Sequence, residues 1–284
     1  MNENPTAAPD SSAGHDAVWP VIRSYDEHHL DHISLPLGGI GTGTIGLGGR
    51  GDLRDFELGN RPAKGFRPST AFFAIRVAGP DSPAVARVLE GPLGVNDFEG
   101  ASGSPAGNHG LPRFARTTFD AAYPFGQVHL EDLDLPAVTL RGFNPLVPGD
   151  LAASSWPLAA ISVDVVNTFD ETIEVSVVGA LENFIGSNGT ESAVGANTNS
   201  VVTSNDLVGI SMTAPELDPN AEAYGELVLS TVRADDVVTT TRTGWVDASW
   251  GNSLLDFWDD FLDDGRLEER QSTCLLYTSD AADE

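Results

Sequence analysis

Apolar and polar residues alternate with a period of two along much of the chain, the signature of strands with one buried face. In residues 158–166, Ile161, Val163 and Val165 face one way while Ser162 and Asp164 face the other. After a polar turn at 167–172, Ile173, Val175 and Val177 resume the pattern, which predicts an antiparallel hairpin. The same reading predicts strands at 71–78, 84–89, 113–118, 127–130, 137–141, 207–212, 225–232 and 237–242. Val, Thr, Ile and Phe dominate them, as a pleated surface prefers. Short strands separated by turn residues predict a sandwich or a barrel.

One segment has a different period. Leu254, Leu255, Phe257, Trp258, Phe261 and Leu262 follow helical spacing, with Ser253 as the expected cap and Gly265 at the left-handed stop. A lone amphipathic helix after an all-β domain needs a surface to cover: either the sandwich itself or a second domain. The expectation is that the face at 254–262 stays open for a partner. Two stretches, 91–110 and 186–200, are poor in apolar residues and read as long loops. Residues 1–30 read as a disordered lead-in, 31–250 as the β domain and 251–273 as the linker helix.

The chain has 284 residues, 42 Asp+Glu against 15 Lys+Arg, and a formal charge of −27. That excess argues against binding a phosphate backbone, so no nucleic-acid partner is expected. No apolar run reaches the roughly 18 residues of a membrane span. The N-terminus lacks the basic and apolar regions of a signal peptide, so the expected location is cytoplasmic. Lys64 is the only lysine. Such an acidic, lysine-poor surface fits either a high-salt source or GC-rich codon bias. The single cysteine, Cys274, leaves no internal disulfide. It lies in CLLYTSDAADE (274–284), which resembles the translation of a transposase-type sequencing adapter. The genuine chain is therefore expected to end near Thr273 and the natural protein to continue.

The glycine-rich stretch at 38–51 reads GGIGTGTIGLGGRG. Gly41, Gly43 and Gly46 match a dinucleotide fingerprint in form, but Gly48, Gly49 and Gly51 forbid the helix that must follow. A backbone making tight turns is the better reading. Gly38, Gly39, Gly41 and Gly43 are the positions where it would approach another chain segment or line a substrate cleft. His28, His29, Asp31 and His32 lack ligand spacing, so no metal is expected, nor any other cofactor. No G-x-S-x-G elbow is present. Five of the 15 basic residues crowd beside the glycine-rich stretch: Arg50, Arg54, Arg61, Lys64 and Arg67. Arg50, Arg54, Asp55, Asn60 and Arg61 are the candidates for a substrate cleft or a domain interface. The competing reading is a local salt-bridge network with Asp52, Asp55 and Glu57.

Three blocks carry a resemblance. They are ISLPLGGIGTGTIGLGGRGDLRDFELGNRPAKG at 33–65, GFNPLVPGDLAASSWPLAAISVDVVN at 142–167, and Leu181-Glu182-Asn183. The tail WDDFLDDGRL at 258–267 adds a fourth. Together they resemble the N-terminal domain of glycoside hydrolase family 116, the bile-acid β-glucosidase or non-lysosomal glucosylceramidase family. At Leu181 the family usually has Trp. The resemblance implies an all-β antiparallel sandwich followed by an all-helical (α/α) barrel that hydrolyses β-glucosides with retention. Two carboxyl groups about 5–5.5 Å apart do that work. In the family both belong to the barrel, so no catalytic residue is assigned here. The implied partners are the barrel domain and, in the full-length enzyme, a β-glucoside or glucosylceramide-type substrate. The alternative is a free-standing carbohydrate-binding sandwich, with Trp156, Trp245 and Trp250 as stacking platforms.

Overall fold

A computed structural model describes residues 19–59, 61–94, 110–187, 197–246, 248 and 252–270. Among them are fourteen strands and two helices. A five-stranded antiparallel sheet has the order β1 (Arg23–Tyr25), β7 (Arg116–Ala122), β8 (Phe125–Glu131), β9 (Ala137–Phe143), β10 (Ala160–Val166). Three three-stranded sheets accompany it. The first is β2 (Ser34–Leu37), β3 (Thr44–Gly48), β4 (Leu53–Glu57). The second is β11 (Glu174–Leu181), β5 (Ala71–Ala78), β6 (Val85–Val88), and the third β12 (Thr198–Thr203), β13 (Leu207–Thr213), β14 (Glu226–Val232). The helices are α1 (Leu151–Ser154) and α2 (Asn252–Asp264). The fold is all-β and sandwich-like. None of its described helices is long and apolar enough to cross a membrane.

The alternation explains the layering. Phe119, Val128, Leu130, Val138 and Leu140 from the five-stranded sheet meet Leu35, Leu37, Leu47, Ile75 and Val77 from the facing sheets. The opposite face of β5, β6 and β11 carries Phe72, Ala74, Ala86, Val88, Val178 and Ala180, and these receive Phe257, Trp258 and Phe261 of α2. A third cluster around Met212 and Ala214 lies under the last sheet.

Several expectations change. The strands at 158–166 and 173–177 do not pair with each other: β10 pairs with β9, and β11 with β5. Alternation identifies a strand but not its neighbour. Residues 237–242 form no strand, because their polar groups serve α2 and the segment after it: Arg242 is buried against Asp256 and Asp260 of α2, and the Thr240 hydroxyl accepts from Leu267 N–H at 3.0 Å. The helix face expected to stay open is closed by the chain's own sheet. Ser253 lies inside α2 and bonds Ala248 instead of capping from outside. Gly265 does stop the helix, at φ +76°. The lead-in expected over 1–30 ends earlier: Trp19 packs edge-on to Phe125 at 5.1 Å, and β1 pairs with β7. Trp250, residues 188–196 of the second loop, most of the 91–110 loop and the 274–284 tail lie outside the described residues.

Candidate functional site

The glycine-rich stretch folds as two turns and a strand. Gly38, Gly41 and Gly43 have φ of +142°, +75° and +86°, conformations that L side chains rarely adopt. They reverse the chain between β2 and β3. Pro36, which lacks a donor, stands on the edge strand β2. Gly39 lies so close to the Ser155–Trp156 peptide that a Cβ would enter its atoms, and Ile40 N–H donates to Ser154 C=O at 2.7 Å. The turn is thus stapled to the α1 segment.

That segment explains the second sequence block. Asp150 caps α1 by accepting from Ala153 N–H at 3.0 Å. Buried Ser154 donates to Asp150 C=O at 2.7 Å and accepts from Val147 N–H at 2.9 Å. Together they present Trp156 to solvent, 60% exposed, close along the backbone to Ile40 at 54%. Leu151 and Leu158 are also exposed. The Glu182-Asn183 pair is a second staple. Glu182 accepts from Ser69 N–H and hydroxyl at 2.8 and 2.6 Å, and Asn183 donates to Thr198 and Thr213 carbonyls. Leu181, where the family usually has Trp, packs into the cluster around Met212.

Beside the glycine turn lies an open groove of about 390 Å³ lined by Gly41, Gly43, Thr44, Glu57, Arg61 and Pro62. Exposed Arg61 donates to Glu222 at 2.5 Å, a partner outside the local stretch. Lys64 holds Glu57 at 2.9 Å. That hydrogen bond, helped by one from Ala63 N–H, lowers the pKa of Glu57, and the same Glu57 contact raises that of Lys64. A β-bulge between β3 and β4 puts Asp55 at φ +50°. Its oxygens accept from Ser34 Oγ at 2.6 Å and Gly65 N–H at 2.7 Å. Burial alone would raise the Asp55 pKa. The two hydrogen bonds, with the charges of Lys64 and Arg54, outweigh it, and the pKa is lowered.

A depressed native pKa means that the carboxylate stabilises the fold above the unfolded-chain value near 3.8, and that this contribution is lost as pH falls through the lower folded value. Asp55→Asn is therefore expected to lose about 1–3 kcal/mol at neutral pH and to show a flatter acid limb than the parent. Urea midpoints across pH 7 to the acid limit check this. Parallel curves would show that Asp55 is not the titrating contact.

Arg50 and Arg54 are not in the groove. Arg50 Nη1 donates to Glu90 Oε2 at 2.7 Å, and Arg113 Nε reaches the same oxygen at 3.1 Å, all three side chains being buried. Asp52 lies 3.6 Å from Arg50 Nε and receives Arg54 Nε at 2.7 Å. Arg54 also donates to Asp31 C=O at 3.0 Å. The structure thus brings Gly41, Gly43 and Arg61 to one groove, places Gly38 and Gly39 behind it, and sends Arg50, Arg54 and Asp55 into internal networks. Asn60 lies outside the described residues. Sequence reasoning missed Glu90, Arg113 and Glu222, because each meets its partner across sheets or loops distant along the chain. Of the three tryptophans named as sugar platforms, Trp245 is stacked on Phe257 at 5.1 Å, and Trp156 is exposed. Among the described residues no three of His, Cys, Asp or Glu come together to hold a metal ion.

A family model described as beta-glucosidase 2, glycosyl-hydrolase family 116 N-term, matches residues 34–281, which includes the turn, the staples and the groove. This chain therefore belongs to the family of glycoside hydrolase family 116 N-terminal domains.

Proposed function

We propose that this chain is the non-catalytic N-terminal part of a cytoplasmic, retaining β-glucosidase or glucosylceramidase-like enzyme. Its sandwich begins with the segment at 19–25 and runs to about residue 250, residues 251–273 carry its linker helix, and it buttresses an all-helical catalytic domain. The observation that carries the reading is the exposed apolar set Ile40, Leu151, Trp156 and Leu158, held on a backbone that Gly39 and Ser154 lock in place. Large apolar side chains fixed on a rigid scaffold and left to solvent suit a docking surface. The adjoining groove with Arg61 would then flank the cleft entrance.

The test is reconstitution. The helical domain of the parent protein, expressed separately, is expected to bind this chain and to gain β-glucosidase activity with it. Trp156→Ala should weaken association by about 2 kcal/mol or more, roughly thirtyfold, with the chain's own melting temperature unchanged. Hydrolysis of a β-glucoside by the purified chain alone would overturn the non-catalytic reading. Unaltered association of Trp156→Ala would move the docking face elsewhere.

A further inference from the structure

A second depression, of about 280 Å³, lies on the outer face of the five-stranded sheet, away from the glycine turn. Its floor comes from β7 and β8. Arg116 stands directly opposite Glu131 and Thr118 opposite His129 in the antiparallel register, so all four share one face. Its rim is Glu27 and His28. Both parts are held in place before any ligand arrives. Asp26 accepts from His28 N–H at 3.0 Å and lies 2.5 Å from His29 Nδ1, which fixes the rim turn. The His129 ring is oriented by Asp120 at 3.0 Å through Nε2 and by Thr139 at 3.3 Å through Nδ1.

The charges on the floor are unspent. Arg87 and Arg141 pair with Asp132 and Asp164. Among the described residues Arg116 and Glu131, of opposite sign and facing each other across the ladder, make no ion pair with each other or with any other group. A guanidinium that can donate and carboxylates that can accept therefore converge on one small space, walled by an imidazole whose two nitrogens are already taken by Asp120 and Thr139. Such a set suits a ligand whose groups both donate and accept, which is what neighbouring hydroxyls do. An anion would meet Asp26, Glu27 and Glu131, and a cation would meet Arg116. The volume sits just under the roughly 300–1,000 Å³ of pockets for drug-sized ligands, which leaves room for one ring.

We propose that this cleft binds a neutral sugar ring through its vicinal hydroxyls, as a site separate from the Arg61 groove and independent of the docking reading. The experiment is a titration of the full chain with glucose, and separately with cellobiose, followed by amide chemical shifts. The expected result is a dissociation constant of about 1–10 mM. The shifts should be confined to β7, β8 and the turn at 26–29. Arg116→Ala and Glu131→Gln, both solvent-exposed and so tolerated by the fold, should each weaken binding about tenfold or more, while Arg61→Ala leaves it unchanged. Any of three results would overturn the site: no shifts with either sugar, shifts on another face, or unchanged affinity in both cleft variants. Putrescine binding more tightly than either sugar would overturn the ligand class and assign the cleft to a cation.

Discussion

Replacing Glu90 with alanine is expected to lower the unfolding free energy by about 3–5 kcal/mol, because it strips the shared partner from two buried arginines. Glu90 is 2% exposed, and its Oε2 receives both Arg50 and Arg113. Water cannot replace the lost carboxylate around groups this buried, so two guanidiniums would be left undercompensated. The loss reaches the glycine-rich region, because Gly91 N–H donates to Arg50 C=O at 2.7 Å and ties the end of that region to the segment after β6. Urea denaturation at neutral pH measures it. Glu90→Gln keeps the shape and one acceptor and should fall between parent and alanine variant. A loss under about 1 kcal/mol for alanine, the level of an exposed pair, would mean that the network is solvated rather than buried.

Truncating Phe261 to alanine is expected to cost about 3–5 kcal/mol, the range for a large aromatic removed from a packed core. Phe261 is 1% exposed, beside Trp258 and over Phe72, Ala74 and Val178. The control lies on the same helix: Leu255 is 51% exposed, and Leu255→Ala should stay within about 0.5 kcal/mol. Hydrogen exchange adds a second readout. Protection of the α2 amides should fall in Phe261→Ala, because the apolar face holds the helix to the sheet. Its C-terminal end has its own clamp: Arg76, buried in β5, donates to the carbonyls of Leu262 and Asp263 at 2.8 Å each. A near-neutral Phe261→Ala would show that α2 does not rest on the sheet and would restore the expectation of an open helix face.

These two sites mark the line between what was legible in the chain and what was not. The α2 pattern is local, so its period, its apolar face and its stop at Gly265 can be read directly. The choice of surface beneath it cannot, because β5 is apolar on both faces, with Phe72 and Ala74 on one and Ile75 and Val77 on the other, and nothing local says which element covers each. The same holds for strand pairing. Ile161 and Val175 predict strands correctly, but their partners, Gly142 and Val77, are chosen by sheet assembly. The meander β2–β3–β4 escaped the alternation reading because Gly46 and Gly48 remove the signal from β3, β2 is four residues long with Pro36 inside it, and β4 sets Arg54, Asp55 and Glu57 around Phe56. Its turns were still visible, since only glycine populates their φ readily.

The candidate site divides in the same way. Residue types and local crowding identified the glycine turn, the basic cluster beside it and the family, because those properties belong to contiguous residues. Tertiary structure alone sorted that cluster into an exposed arm at Arg61, a buried partner at Arg50 and a half-buried one at Arg54. A charge's role depends on its burial and on carboxylates brought from elsewhere: Glu90 from beyond β6 and Glu222 from the loop before β14. It also set Trp156 in solvent and Trp245 against Phe257, although Trp156 has the more apolar local sequence (SSWPLAA) and Trp245 the more polar one (RTGWVDA). Local pattern determines which elements form and where the backbone turns. Burial and charge pairing are sums over distant neighbours, and only the assembled sheets supply those neighbours.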